Sequence, residues 1–487
     1  MIRATRIAAA AAIVSGLALG AQAVDAQQAF DRSKAPALGP APALVLPAVK
    51  TARLGSGAAV KVVEQRELPL VHITLQLAGG GRLDNDHPGL ASFTALMIRE
   101  GAGTRDANAL QSEIAFLGAT LSSNASWDNT SITLRVSKRN LEPALDLMAD
   151  VVLRPSFKSA DVERQRDLRL AGLLQAKDQP GAIANRAFET ALFPKGHPYH
   201  NSLSGDSTST AALDSASVRS FHTGAYRASR ATFTVVGDIS ETEARTLLDR
   251  RFGSNAWRAM GAERTPAPVM ATPVRNTERR VILVDKPAAA QSVVIIGTPG
   301  IERTTPDYAA IMVMNTILGG SFSSRLNSNL RETKGYTYGA GSGFQFRPLP
   351  GAWQASSQVR TNVTDSSLVE FFKEMNTLRD TPVGEDELAR AKAYLALGVP
   401  GDFESTAQIA GELTSLAAFN LPLSYLAEYV AAVEKVTAAD VQRVAQRLIP
   451  ASNATIVVVG DLSQIRAGIE ALNLGPITVI PVAELMK

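Results

Sequence analysis

The chain has no cysteine in 487 residues, and it carries five histidines and three tryptophans. Without cysteine there is no disulfide framework, zinc ribbon, iron–sulfur cluster or thiol nucleophile. A transition-metal site would have to draw on His72, His87, His197, His200 and His222, or on carboxylates alone. An excess of one charge is also missing. Lys and Arg number 49 against 46 Asp and Glu, and the resulting +3 is too small for the polybasic footprint of a nucleic-acid binder. No G-x-x-x-x-G-K-S/T loop and no G-x-S-x-G elbow occurs. ATPase and serine-hydrolase readings therefore lack local support.

With 45% hydrophobic and 20% charged residues the chain can build a large core, and its length suggests two or more domains. The N-terminal residues have a separate character. Arg3 and Arg6 precede an apolar run from Ile7 to Leu19, then small residues ending Val24-Asp25-Ala26. That layout predicts a signal peptide over 1–26 and export to the periplasm. No later apolar stretch is long enough for a transmembrane segment, so none is expected in the mature chain. Residues 27–50, with Pro36, Pro40, Pro42 and Pro47, read as a Pro/Ala-rich lead-in.

From there the chain alternates strand and helix patterns. Ala59–Val63, His72–Leu77 and Ser131–Val136 read as strands, whereas Gly89–Arg99, Ala107–Leu117, Asn140–Leu153 and Ala160–Ala176 have helical periodicity. A repeat organises this pattern. Thr232-Phe-Thr-Val-Val-Gly-Asp-Ile-Ser240 recurs as Thr455-Ile-Val-Val-Val-Gly-Asp-Leu-Ser463, identical at six of nine positions and offset by 223. In each copy a buried strand is expected to end in Gly-Asp, with the following Ser capping a helix. Pro88-Gly-Leu-Ala91 pairs more weakly with Pro306-Asp-Tyr-Ala309. Two matches in the same order indicate a duplicated chain. The expected organisation is an N-terminal domain over 51–253, a linker over 254–279 bearing Pro266, Pro268 and Pro273, and a homologous C-terminal domain over 280–487. The fold class is α+β: two homologous domains, each a mostly antiparallel sheet flanked by helices, facing each other like a clamshell.

Leu77-Ala-Gly-Gly-Gly-Arg-Leu-Asp-Asn-Asp-His-Pro-Gly-Leu-Ala-Ser-Phe-Thr-Ala-Leu-Met97 resembles the zinc-site region of the pitrilysin/insulinase metallopeptidases. The likeness is strongest to the branch holding mitochondrial processing peptidase and its bacterial relatives. It extends over Leu117-Gly-Ala-Thr-Leu121, His197-Pro-Tyr199 and both Val-Gly-Asp strands. In active family members this helix carries H-x-x-E-H, two imidazoles one turn apart on zinc with a Glu that activates the metal-bound water. The resemblance places Ser92, Ala95 and Leu96 at those three positions, and Gly172 at the distal Glu. Ala95 and Leu96 have no metal-binding atoms and a Ser hydroxyl is a poor zinc ligand. The resemblance therefore implies no metal and no cofactor in this chain. His197 and His200, the closest histidine pair, flank Pro198, which argues for a turn rather than a helix presenting both rings.

Ser321-Phe-Ser-Ser-Arg-Leu-Asn-Ser-Asn-Leu-Arg-Glu-Thr-Lys-Gly-Tyr-Thr-Tyr338 resembles the family's Arg/Tyr signature, with Arg331 and Tyr338 at the matching positions. Arg331 is expected in the last turns of a helix that Gly335 terminates, with Tyr336-Thr-Tyr338 opening a strand. A guanidinium and a phenol are fixed donors suited to a scissile carbonyl and its developing oxyanion. Gly339, Gly341 and Gly343 follow. No strand–turn–helix comes after them as phosphate binding requires, so they are read as admitting close approach of another backbone.

The resemblance implies the zinc-free subunit of a heterodimeric metalloendopeptidase. Its partner would be a homologous H-x-x-E-H chain bearing zinc, and its substrates short unfolded peptides. The alternative is a non-enzymatic peptide-binding or scaffold subunit of a larger assembly.

Overall fold

The computed structural model describes residues 44–255, 257 and 271–486. The expected signal peptide, most of the lead-in and the middle of the expected linker lie outside the described residues. In chain order the strands are β1 (Lys50–Arg53), β2 (Ala59–Glu64), β3 (Leu70–Ala78), β4 (Gly101–Ala102), β5 (Arg105–Asp106), β6 (Thr120–Ala125), β7 (Asn129–Ser137), β8 (Ala231–Gly237), β9 (Arg280–Asp285), β10 (Gln291–Pro299), β11 (Thr337–Phe344), β12 (Ala352–Arg360), β13 (Thr455–Gly460) and β14 (Ile477–Val479). They form two six-stranded sheets, ordered β1-β2-β8-β3-β7-β6 and β14-β9-β13-β10-β12-β11, besides the small β4–β5 hairpin. Written in those directions the two sheets have the same internal connectivity.

The repeat strands β8 and β13 occupy the same place in their sheets, each parallel to one neighbour (β2 or β9) and antiparallel to the other (β3 or β10). The sheets differ at one edge. There β1 arrives from upstream and runs antiparallel to β2, whereas β14 returns from the C-terminal end and runs parallel to β9.

Duplication extends to the helix starts. Asp214 and Thr437, 223 residues apart, each form a capping box, at the starts of helices Ser215–Ala225 and Ala438–Leu448. After the repeat strands the expected symmetry fails. Ser240 caps helix Glu241–Phe252 by accepting from the Glu243 amide. In the second copy Asp461 is the cap and Ser463 lies inside helix Leu462–Ala471, donating its hydroxyl to the Asp461 carboxylate. A carboxylate accepts from the first-turn amide more strongly than a hydroxyl, so the Asp that only ends the strand in copy one starts the helix in copy two.

Alternation along β3 sorts its two faces. Val71, Ile73, Leu75 and Leu77 join a core with helices Leu90–Met97, Leu141–Leu153 and Ser215–Ala225, while His72, Thr74 and Gln76 face the other way. The second half has its own core under helices Tyr308–Asn315, Thr364–Asp380 and Ala438–Leu448. The other face of each sheet is covered by a helix from the opposite half. Helix Pro180–Leu192 lays Ile183, Ala187 and Phe188 on Ile295, Val457 and Val459 of the second sheet. Helix Thr406–Ala418 lays Ile409, Ala410 and Leu413 on Val63 and Val236 of the first. This exchange ties the halves into one body by burial of apolar surface from both. No described helix is long and apolar enough to cross a membrane.

Candidate functional site

The degenerate zinc motif lies on helix Leu90–Met97. Gly89 begins it at φ +89°, and a Cβ there would meet the Ser204 carbonyl at 2.7 Å, so only glycine fits. The orphan amides of the first turn are satisfied by a buried carboxylate, since Asp84 accepts from Gly89 N at 2.8 Å and from Ala91 N at 2.7 Å. Ala95 is fully buried in the core, and Leu96 is half-buried. At Gly172, on helix Ser159–Ala176, an added Cβ would meet nothing within 4 Å.

Ser92 is half-buried and engaged. Its hydroxyl donates to the Leu203 carbonyl at 2.7 Å and accepts from the Arg169 guanidinium at 3.0 Å. Arg169 lies one helical turn before Gly172. It also donates to the Gly89 carbonyl at 3.0 Å and sits over the Phe93 ring, 4.9 Å from its centre. A protein cation thus stands against the first expected ligand position. Burial pushes the Arg169 pKa down to about 10, against the pull of Asp84, which leaves it charged at neutral pH. Burial likewise lifts Asp84 to about 7, opposed by the Ala91 and Gly89 amides and by Arg169. Sequence reading missed Arg169. The available signal was its spacing, i−3 from Gly172 and so on the same helical face.

These residues do not fit a zinc ion. The donors are one hydroxyl already bound on both sides and no imidazole or carboxylate at the three other positions. Among the described residues no cluster of three or more His, Asp or Glu is arranged to hold a metal. The histidines have other attachments. His197 stacks on Phe193 with ring centres 4.7 Å apart, and its Nδ1 accepts from the Tyr199 amide. His200 Nδ1 lies 2.7 Å from the Phe193 carbonyl, and a turn in which the His200 amide donates to His197 O joins the two histidines, as Pro198 suggests. His222 Nε2 lies 2.9 Å from the Val152 carbonyl.

The second half holds Arg331 in a widened, π-type turn over Ser328–Thr333, anchored by the fully buried Leu330 and, in the turn before it, Leu326. Arg325 braces the start of this segment with a two-pronged ion pair to Glu387, at 2.8 and 2.6 Å. Its end is closed by Gly335 at φ +64°, whose amide donates to Arg331 O at 3.1 Å while Tyr336 N donates to Leu330 O at 2.8 Å. The Arg331 guanidinium lies 4.6 Å from the centre of the Phe322 ring, itself exposed. The strand opens at Thr337, one residue later than the sequence suggests, and its register shifts between Thr337 and Ala340. Inside that irregularity Tyr338 is 91% exposed.

Of the three glycines of β11 only Gly341 meets another backbone, and it is that of the chain itself. A Cβ on Gly341 would come 3.0 Å from Gly319 O, and one on Gly319 would come 2.2 Å from Ser342 N. The turn Thr316–Gly320 packs there, and β11 remains the edge of its sheet.

Comparison with known proteins agrees with this architecture. Residues 61–207 match the family model "Insulinase (Peptidase family M16)", and residues 212–395 match "Peptidase M16 inactive domain". A crystal structure of the peptidase M16 inactive domain from Pseudomonas fluorescens superposes with a TM-score of 0.77 at 30% identity, covering 85% of this chain and 98% of that one. A protease from Helicobacter pylori shares the fold at a TM-score of 0.78 and 19% identity, covering 85% of this chain and 100% of that one. A protein of Mycobacterium leprae described as an uncharacterized zinc protease is 31% identical over 252 residues, 51% of this chain and 55% of that protein. The chain thus spans about half the length of such relatives. The mitochondrial-processing peptidase subunit beta of Lentinula edodes is 23% identical over 439 residues, 86% of this chain and 91% of that protein. With the duplicated sheets, the exchanged helices and the degenerate motif in place, this chain belongs to the insulinase family of peptidases, M16.

Proposed function

We propose that this chain is the zinc-free subunit of a two-chain metalloendopeptidase, exported to the periplasm. A homologous H-x-x-E-H partner would supply zinc, its ligands and the Glu base. This chain would supply Arg331 and Tyr338, and one wall of the space in which short unfolded peptides are cleaved. The observation that carries the reading is an asymmetry. The zinc-ligand positions hold Ser92, Leu96 and Gly172 with the Arg169 cation alongside, while Arg331 and Tyr338 stand at the surface of the other half. A phenol left 91% exposed contributes little to packing, which favours a role outside this chain. A relative named as the beta subunit of a processing peptidase supports a multi-chain reading.

In this role the guanidinium and the phenol donate hydrogen bonds to the scissile carbonyl oxygen as charge develops on it. Donors aimed in this way are worth about 10²- to 10³-fold in kcat each. The test is co-purification with an exported H-x-x-E-H homologue and cleavage of a quenched fluorescent peptide. The chain alone should be inert, and the pair should cleave and be silenced by chelation. Arg331→Ala and Tyr338→Phe should each lower kcat/KM by about 10²-fold or more, with the complex still assembled. Turnover unchanged by both substitutions would reject the role of the pair. A stable complex that binds peptide without turnover would replace it with the scaffold reading.

A further inference from the structure

The two sheets treat their exchanged helices differently. By register, Ile73 faces Val235 and Leu134 in the first sheet as Val294 faces Val458 and Ser357 in the second, with both neighbours displaced by 223. His72, Thr74 and Gln76 are therefore the counterparts of Val293, Ile295 and Gly297. The covering helices are in register as well, Ile183-Ala184 matching Ile409-Ala410, which sets Phe188 opposite Thr414. In the second sheet Phe188 fills the joint, its ring tip 2.4 Å from where a Cβ on Gly297 would stand. In the first, a hydroxyl faces an amide, and a cavity of about 630 Å³ opens between sheet and helix.

That volume lies within the range of about 300–1,000 Å³ typical of ligand sites. His72 is 9% exposed with its Nδ1 unpartnered, and Thr414 Oγ1 on the opposite wall is unpartnered too. Buried polar atoms left without partners cost about 1–3 kcal/mol each, a cost that the other joint avoids with Val293 and Phe188 at the matching positions. The charges at the rim are already engaged. Asp128 accepts from Tyr199 Oη at 3.1 Å and from Arg82 at 3.4 Å, while Arg347 lies over the rings of Trp127 and Tyr199 at 4.2 and 4.5 Å. The remaining lining combines hydroxyls and amides of the sheet, which both donate and accept, with the aromatic rings of Phe346 and Phe419 and the apolar Ala407, Ala410 and Ala418 of the helix, and apolar surface predominates.

We propose that this cavity is a binding site for a neutral polyhydroxylated ligand of about disaccharide size. Hydroxyl and amide groups pair with its hydroxyls, and the rings cover its C–H faces. The inference is independent of the peptidase reading, since it uses neither Arg331 nor Tyr338. It is tested on the full chain by ligand-observed NMR and calorimetry with maltose and trehalose, beside an end-capped Gly-Ser-Gly tripeptide and galacturonate. Saturable binding of a neutral disaccharide is expected, weakened at least tenfold by Thr414→Phe, which installs the residue of the other half. His72→Val is the second variant and should act in the same direction. Absence of disaccharide binding, leaving a cavity filled by water alone, overturns the proposal, as does binding unchanged in either folded variant. Preference for the tripeptide or the uronate overturns the ligand class.

Discussion

Restoring the metal ligands tests whether Arg169, as well as the missing donors, now bars zinc from the first half. The perturbation is Ser92→His, Leu96→His and Gly172→Glu together, made with and without Arg169→Val. Space favours the change, because Ser92 and Leu96 are half-buried and a side chain at Gly172 meets nothing within 4 Å. Replacing a helical glycine should itself add about 0.5 kcal/mol. The obstacle is charge. The Arg169 guanidinium lies 3.0 Å from the Ser92 hydroxyl, so an ion bound through position 92 would sit close to a half-buried cation. At a separation of about 5 Å and an effective dielectric of about 20, a divalent ion and a guanidinium repel by about 7 kcal/mol. Side-chain movement relieves part of that, and a residual penalty of about 4 kcal/mol corresponds to about 10³-fold in Kd. Zinc affinity would be read by competition with a chromophoric chelator, with circular dichroism confirming the fold. The variant lacking Arg169 should bind at least 10³-fold more tightly than the one retaining it. Equal affinity for zinc in the two would refute the view that this guanidinium blocks the site.

Two further predictions concern stability. Burial holds the His222 pKa at about 4, with the Val152 carbonyl pulling the other way, and burial chiefly holds His197 at about 4. Below an unfolded-state pKa of about 6.5 the unfolded chain takes up protons that the folded chain refuses. Stability is therefore full above about pH 6.5 and falls as pH drops toward 4, by at most about 1.4 kcal/mol per pH unit for each histidine. Urea unfolding at pH 7.5, 6 and 5 should show that slope, and His222→Gln should flatten it. A slope unchanged by the substitution would assign the acid sensitivity elsewhere. Phe188→Ala removes the ring seated against Gly297 and should cost about 3–5 kcal/mol, read by chemical denaturation. A cost below about 1 kcal/mol would mean the exchanged helix contributes little to joining the halves.

Much of this was legible in the residues, for physical reasons. The strand periodicity of β3 and β7 and the nine-residue repeat gave two sheets with β8 and β13 in equivalent places, because buried strands have a short, dense pattern. The exchanged helices were not legible. The apolar faces of Pro180–Leu192 and Thr406–Ala418 say that each is buried, and nothing local says against which sheet. The strand at β14 was hidden for a related reason. Ile477–Val479 is three residues long and mostly exposed, so it exists through pairing with β9 rather than through its own pattern. At the degenerate motif the sequence revealed what had been lost but not what had arrived, since Arg169 reads as one more charge on a polar helix.

Duplication followed by divergence accounts for both features that the sequence left hidden. In the first half the metal-ligand positions hold a hydroxyl, a leucine and a glycine, and a half-buried guanidinium supplies positive charge there instead. On its other face the first sheet presents His72, Thr74 and Gln76 to Thr414 of the second half's helix, where the second sheet presents Val293 and Ile295 to Phe188 of the first half's helix. A face built only for inert packing would be apolar, as the second sheet's is, since burying polar groups without partners is destabilising. The first sheet's face carries polar side chains and is open. The degenerate motif and the cavity are therefore separate features of the fold. They can be separated experimentally: zinc should respond to Arg169, and the polar cavity to Thr414. Neither substitution should alter the other's readout, because the two regions line different faces of the first sheet's layer and share no residue.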